Sequence, residues 1–253
     1  RIPHLHKNAH THPRVLGIKE AKGNVLFIVD ADAYYAEDYL ALCLKHLEKK
    51  DVAGSLGRIR VWSPKTIISK YRDVLYRLRY DNFEAIKKEI SDGKTGVWVL
   101  KKELYDRVGG YDERRGYGED PDLCMRVQKL GFKVVYEPSA FWWHRWKEFF
   151  GEVTSNNFAM GRLNFFTGIR KPKEVMKVGY FILPLLIVIS AFFNPWLLLL
   201  IPIHMIPLFW QGIKLFKRAK GLKYRWYALL SPIVSYIMNI PYAIGFVTKF
   251  IVK

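Results

Sequence analysis

Three apolar runs in the last third of the chain place the strongest limit on how it folds. Val178 to Phe193, Trp196 to Trp210 and Tyr227 to Val247 contain no Asp, Glu, Lys or Arg. Each comes close to the ~20 residues that an α-helix needs to cross a bilayer, and extension into Val175 and Ile213 lengthens the first two. Asn194-Pro195 breaks the first run from the second, so the pair reads as a helical hairpin. Pro184, Pro202, Pro207, Pro232 and Pro241 interrupt the runs, which membrane helices tolerate better than soluble ones. Basic residues flank them at Arg170, Lys171, Lys173 and Lys177, and again at Lys214, Lys217, Arg218, Lys220, Lys223 and Arg225. Lys/Arg excess marks the cytoplasmic side, so both flanks and the preceding domain are expected there, in a multi-pass protein of the cell membrane. The formal charge of +18 fits either nucleic acid or an anionic membrane surface. The apolar runs assign it to the lipid bilayer and argue against a nucleic-acid partner.

Upstream, the chain alternates strand and helix. Val25 to Val29 is a β-branched apolar run that reads as a buried strand, and it ends in Asp30 and Asp32. In an open α/β sheet, ligands bind at the carboxyl ends of strands, so these carboxylates are expected to face a cleft. If the extended conformation continued, both would project to one side and could share a hard divalent cation. A solvated turn accounts for the same residues without a metal. Pro13 to Lys22 suits a short helix closed by Gly23, and Leu40, Cys43, Leu44 and Leu47 mark a helix over 36–49. Val52 to Trp62 reads as a strand in which Gly54 and Gly57 allow close backbone approach, and Pro64 opens a helix with Tyr71, Val74, Leu75 and Leu78 on its apolar face. This is an α/β pattern. Cys43 and Cys124 have no metal-ligand spacing and read as reduced core positions. His4, His6, His10 and His12 fall in a polar segment that reads as a loop rather than a metal site.

A second acidic cluster follows a glycine-rich stretch. Glycines 109, 110, 116 and 118 lead to Glu119, Asp120 and Asp122, which precede a helix over Leu123 to Leu130. Asp122 suits a helix start on capping and dipole grounds alone. Glu119 and Asp120, expected still in the glycine loop, are placed to reach a cleft and serve as a general base.

Gly17 to Asp32, then Gly109-Gly110-Tyr111-Asp112-Glu113 and Gly118-Glu119-Asp120-Pro121-Asp122-Leu123, resemble an inverting family 2 glycosyltransferase with a GT-A fold. The likeness covers about Arg14 to His144. It implies that Asp30-Ala31-Asp32 is the DxD motif, holding Mg²⁺ or Mn²⁺ on the diphosphate of a nucleotide sugar. It implies that Asp120, with Glu119 beside it, is the base that deprotonates the acceptor hydroxyl. Arg14 corresponds to a donor-binding arginine before the DxD strand, and His144 to a histidine near the metal or diphosphate. Members of the family begin with strands that this chain lacks, so a GT-A domain incomplete at its N-terminus is expected over 1–144.

Past His144 the composition becomes that of a membrane interface, with Trp142, Trp143 and Trp146 beside Arg145 and Lys147. Trp146, Phe149, Phe150, Val153 and Met160 share one helical stripe, so an interfacial amphipathic helix with its linker is expected over 145–174, ordinary core packing being the rival. About three transmembrane helices are then expected over 175–253. Arg145-Trp146 resembles the end of the QxxRW motif of processive polysaccharide synthases, but Trp142 stands in the Gln position, so processivity is not expected. Trp143, Arg145 and Trp146 are candidates for the acceptor side. The expected enzyme moves a sugar to a hydroxyl of a lipid-linked or membrane-presented acceptor. The alternatives are a polyprenyl-phosphate sugar synthase and a non-catalytic membrane scaffold.

Overall fold

A computed structural model describes residues 11–91, 99–112, 118–166 and 172–251. His4, His6, His10, Glu113, Gly116, Arg170 and Lys171 lie outside them, as do the side chains of His12 and Lys173. The chain divides into two compact units, one of residues 1–62 and 79–146, the other of residues 63–78 and 147–253.

The first unit is a mixed five-stranded sheet in the order β1-β4-β3-β5-β2, formed by β1 (Val25–Phe27), β2 (Ala33–Tyr35), β3 (Val52–Val61), β4 (Val99–Lys101) and β5 (Lys133–His144). Its helices are α1 (Thr11–Glu20), α2 (Tyr39–Leu47), α4 (Phe83–Ser91), α5 (Lys102–Arg107) and α6 (Glu119–Lys129); α3 (Ile67–Tyr80) runs across the unit boundary. β3 is the central strand, parallel to β5 and antiparallel to β4. It is buried at every position but Arg58, as a central strand covered on both faces is, and the burial includes the polar Ser55 and Arg60. Gly54 and Gly57 permit the expected close approach: a Cβ on Gly54 would meet the Val99 carbonyl oxygen at 2.8 Å, and one on Gly57 would collide with Ala140 and Tyr39. Val15, Ile18, Leu26, Ile28, Leu100, Leu123 and Val127 belong to one core cluster with both ends of the sheet's helical cover, and Cys43 and Cys124 are buried free thiols.

Three local expectations need correction. Val25–Val29 is not buried throughout: Leu26 and Ile28 point inward while Val25 and Val29 are 37% and 44% exposed. Among the described residues β1 is a sheet edge, paired only with β4, and an edge strand with one packed face alternates. On α2, Tyr39, Cys43 and Leu47 are buried and Leu40 and Leu44 are exposed, so the buried stripe follows i, i+4, i+8. The sequence reads as a strand over Lys133 to Tyr136 followed by a turn at Pro138, but β5 does not stop at Tyr136. It continues to His144 through a register shift opposite Gly57/Arg58, where Pro138, unable to donate to the ladder, is accommodated by the bulge.

The second unit contains residues 67–78 of α3, α7 (Phe150–Phe166), α8 (Pro172–Ser190), α9 (Leu200–Arg218) and α10 (Ser231–Ile251), with 3₁₀ turns at Pro195–Leu199 and Arg225–Leu230. Two continuous stretches, Pro195–Arg218 and Arg225–Thr248, are long and apolar enough to cross a membrane; the apolar part of α8, Val175–Ser190, is shorter. Phe192, Phe193 and Trp196 at the α8–α9 turn are more than three-quarters exposed. α7 begins at Phe150, so Trp146 lies outside the helix and the expected stripe does not form: Val153 is fully buried, while Phe149 and Phe150 are exposed. One face of α7 packs on α10 at glycine contacts. A Cβ on Gly161 would collide with the Tyr242 carbonyl, and one on Gly245 with that of Phe158. Buried Asn157 satisfies its amide by donating to the Val153 carbonyl at 2.7 Å. α3 joins this unit through Tyr71, hydrogen-bonded to Ser231 at 3.1 Å, and Val74, packed with Ala219 and Ala228.

Candidate active site

The acidic tip after β1 is a turn, not a continued strand. Ala33 N–H donates to the Asp30 carbonyl at 3.2 Å, and Arg145 N–H donates to the Asp32 carbonyl at 2.9 Å. Pairing of β2 with β5 sets Ala33 opposite His144, so the sheet register itself delivers the imidazole to the turn. His144 Nε2 lies 3.3 Å from Asp32 Oδ1 and 3.6 Å from Asp30 Oδ2. One ligand atom from each of Asp30, Asp32 and His144 falls within 4.8 Å of the others, a separation that a single cation can span. Two carboxylate oxygens and one imidazole nitrogen form a donor set suited to a divalent first-row metal.

Arg14 joins this cluster to the second acidic motif. α1 is fixed to the core by Val15 and Ile18, leaving Arg14 on the side of the turn. Its Nη2 pairs with Asp30 Oδ1, and its Nη1 lies 3.3 Å from Glu119 Oε1 and 3.5 Å from Asp120 Oδ1. Burial works against its charge, but Asp120 and Asp30 outweigh that effect and hold the guanidinium above its ordinary pKa. Glu119 and Asp120 are not in the loop as expected: they are the first two residues of α6. Gly118, at φ 81°, takes the left-handed cap, and the acidic residues that follow suit the helix dipole.

The sequence assigns Tyr111 no role, yet its hydroxyl donates to Asp120 Oδ1 at 2.6 Å. The glycine pair before it explains the aim. Both Gly109 and Gly110 have positive φ, and a side chain on Gly110 would strike the Tyr105 ring, whose hydroxyl accepts from Tyr111 N–H at 3.1 Å. Burial and the adjacent Asp120 carboxylate push the Tyr111 phenol up, so it stays a donor. Burial raises Asp120 from 3.8 to about 6, against the opposing pull of Arg14 and with an added push from Glu119. A buried carboxylate with that proton affinity is ionised at neutral pH yet basic enough to accept a proton. Around His144, the Trp146 ring lies 4.2 Å away and tilted. Trp143 pairs with Tyr34 in the ladder and meets Trp62 edge-on at 6.5 Å, and Arg145 is exposed.

Comparison with known proteins points the same way. Residues 2–109 match the model of glycosyl transferase family 2. The chain is 27% identical over 159 residues to the probable glycosyltransferase YdaM of Bacillus subtilis, an alignment covering 54% of this chain and 35% of that relative. The mannosyltransferase PcManGT from Pyrobaculum calidifontis, solved in complex with GDP-Man and Mn²⁺, superposes with a TM-score of 0.50 at 19% identity, over 93% of this chain and 66% of that one. The chain thus spans about a third of the curated relative and just under two thirds of the solved one. The match of residues 2–109 to the family model, together with a mixed sheet like that of the solved mannosyltransferase, supports a family 2 glycosyltransferase domain of GT-A fold.

Proposed function

We propose that this protein is a membrane-bound, metal-dependent inverting glycosyltransferase that moves a sugar from a nucleotide-diphosphate sugar to a hydroxyl of a lipid-linked or membrane-presented acceptor. The observation that carries the proposal is the convergence on Arg14 of Asp30 from the acidic turn and Asp120 from α6. In this reading Asp30 stands on the metal-and-diphosphate side of the guanidinium and Asp120 on the base side.

Asp30, Asp32 and His144 would hold the cation, and the imidazole in the set favours Mn²⁺ over Mg²⁺, whose ligands are almost all oxygens. When bound, the cation supplies charge that offsets the negative charge developing on the nucleoside diphosphate leaving group. The complex of the related mannosyltransferase with GDP-Man and Mn²⁺ supports both the donor class and the metal. Arg14 offers a planar fork of donors to phosphate oxygens and keeps the three carboxylates from repelling one another. Asp120 takes the proton from the attacking hydroxyl, with Tyr111 fixing which oxygen faces Arg14. Attack on the anomeric carbon from the side opposite the diphosphate inverts it in one displacement. A phosphate acceptor is already anionic and needs no such base, so the buried, raised Asp120 favours a hydroxyl. Trp143, Arg145 and Trp146, next to His144, would line the acceptor side. The two long apolar helices support a membrane location, and the Lys/Arg excess on their flanks would set the catalytic domain at the cytoplasmic face, where nucleotide sugars are found.

Titration of the detergent-purified protein with UDP- and GDP-sugars, first with Mn²⁺ and then with EDTA, tests this. Binding of one series that is lost in EDTA is expected. Binding of neither, or binding indifferent to EDTA, refutes the metal-dependent donor site. Transfer to a polyprenyl phosphate that survives Asp120→Asn would replace the hydroxyl acceptor with the lipid phosphate.

A further inference from the structure

From Val175 to the last residue the sequence contains no aspartate and no glutamate, while Lys214, Lys217 and Arg218 at the end of α9 and Lys220, Lys223 and Arg225 in the link to α10 fall together. Among the described residues none of these six takes part in an ion pair, and all except Arg225 are exposed. The turn that carries them is built, not loose. Ala219 is fully buried against Val74 and Ala228, Leu215 and Leu222 pack with it, and Gly221 makes the reversal at φ 86°. Aromatic rings occupy the places where carboxylates would ordinarily stand. The Arg225 guanidinium lies 4.0 Å from the Phe216 ring centroid and 5.7 Å from that of Trp226. Lys214 lies 5.5 Å from the Trp210 centroid and Lys223 5.4 Å from that of Tyr224. Lys70 adds a seventh cation, donating to the Tyr227 hydroxyl at 3.3 Å. Trp210 and Trp226 are themselves 57% and 66% exposed.

We infer that this turn is a docking surface for anionic phospholipid headgroups, an inference that rests on the membrane reading above. Cations propped on rings keep their charge and their hydrogen-bond donors free, so the missing counter-charge must come from outside the chain. Position selects the source. The cluster joins the ends of the two stretches long enough to span a bilayer, at the depth where Trp and Tyr belts meet headgroup phosphates, and four to eight Lys/Arg at such a place attract anionic lipid. Phosphodiester oxygens would meet Lys217, Lys220 and Lys223 on the exposed turn.

The test uses the full chain in proteoliposomes of phosphatidylcholine containing equal mole fractions of brominated phosphatidylglycerol or brominated phosphatidylcholine, read by quenching of tryptophan fluorescence. We expect brominated phosphatidylglycerol to quench more strongly, a difference that shrinks in Trp226→Phe and in 0.5 M NaCl. In K214Q/K217Q/K220Q/K223Q the preference should fall at least ~5-fold, the factor equivalent to ~1 kcal/mol for even one lost cation. The charge-preserving K214R/K217R/K220R/K223R should retain it. Equal quenching by the two lipids, an undiminished preference in the Gln variant, or loss of preference in the Arg variant would each overturn the inference. Release of the protein from vesicles by alkaline carbonate would instead overturn the membrane reading itself.

Discussion

Replacing Asp120 by Asn separates the stability of this site from its chemistry. The carboxyl rises from 3.8 to about 6 on folding, roughly two units, so holding it ionised costs the native state on the order of 3 kcal/mol. The sign follows from the direction. A group that binds its proton more tightly when folded contributes stability that is fully present below pH 3.8 and is lost as pH rises through about 6. Asn keeps the shape without the titration, and Arg14 retains Asp30 and Glu119 as partners. Relative to the parent, Asp120→Asn should therefore gain stability between pH 4 and pH 7.5, by up to roughly 6–12 °C in Tm for a chain of this size. Thermal unfolding in detergent with EDTA present, followed at several pH values, measures the gap. Sugar transfer should be lost at every pH while donor binding persists. A gap between the two proteins that does not change with pH would refute the assignment of a buried, raised carboxyl to Asp120.

Tyr111→Phe removes the 2.6 Å hydrogen bond that favours ionised Asp120, so the acidic limb of the kcat/KM profile should move up by about one unit; an unmoved limb would separate Tyr111 from the base. Asp32→Ala deletes one member of the cluster formed with Asp30 and His144 and should abolish Mn²⁺-dependent donor binding by calorimetry, whereas retained binding would put the metal elsewhere. Gly245→Leu forces a side chain into the Phe158 carbonyl and should cost roughly 1–3 kcal/mol or more, seen as a lower Tm with Asp120 titration unchanged; a neutral effect would mean that α7 and α10 do not meet there.

What could be read in the sequence were features set by neighbours in the chain. Val52 to Trp62 reads as a strand, and β3 covers nearly all of it. Gly54 and Gly57 signal close approach because nothing else fits beside Val99 and Ala140. The pair Asp30 and Asp32 stands out since an apolar run ends in carboxylates. Where expectation failed, a partner distant in sequence decided the outcome. Val25 and Val29 are exposed because only the face bearing Leu26 and Ile28 packs on the core, and β5 reaches His144 because β2 and β3 extend its ladder past Pro138.

The assembly of the site belongs to that second kind. Arg14 and Asp120 are 106 positions apart, and neither the spacing of Arg14 on α1 nor the acidic start of α6 reveals that one guanidinium serves both motifs. Tyr111 was visible only as a residue after two glycines. Its role depends on the Tyr105 hydroxyl holding its backbone, which is a tertiary fact. Asp30 and Asp32 are thus legible singly at the end of an apolar run, and Glu119 and Asp120 by type beside a glycine stretch, whereas Arg14 and His144 are marked only by the family resemblance. The residues that set the proton affinity of Asp120 are not legible, since burial dominates that shift and burial exists only once the chain is packed. If the base is tuned in this way, variants that loosen the core beneath α6, at Leu123 or Val127, should lower the pKa of Asp120 toward its ordinary value without touching a charged residue.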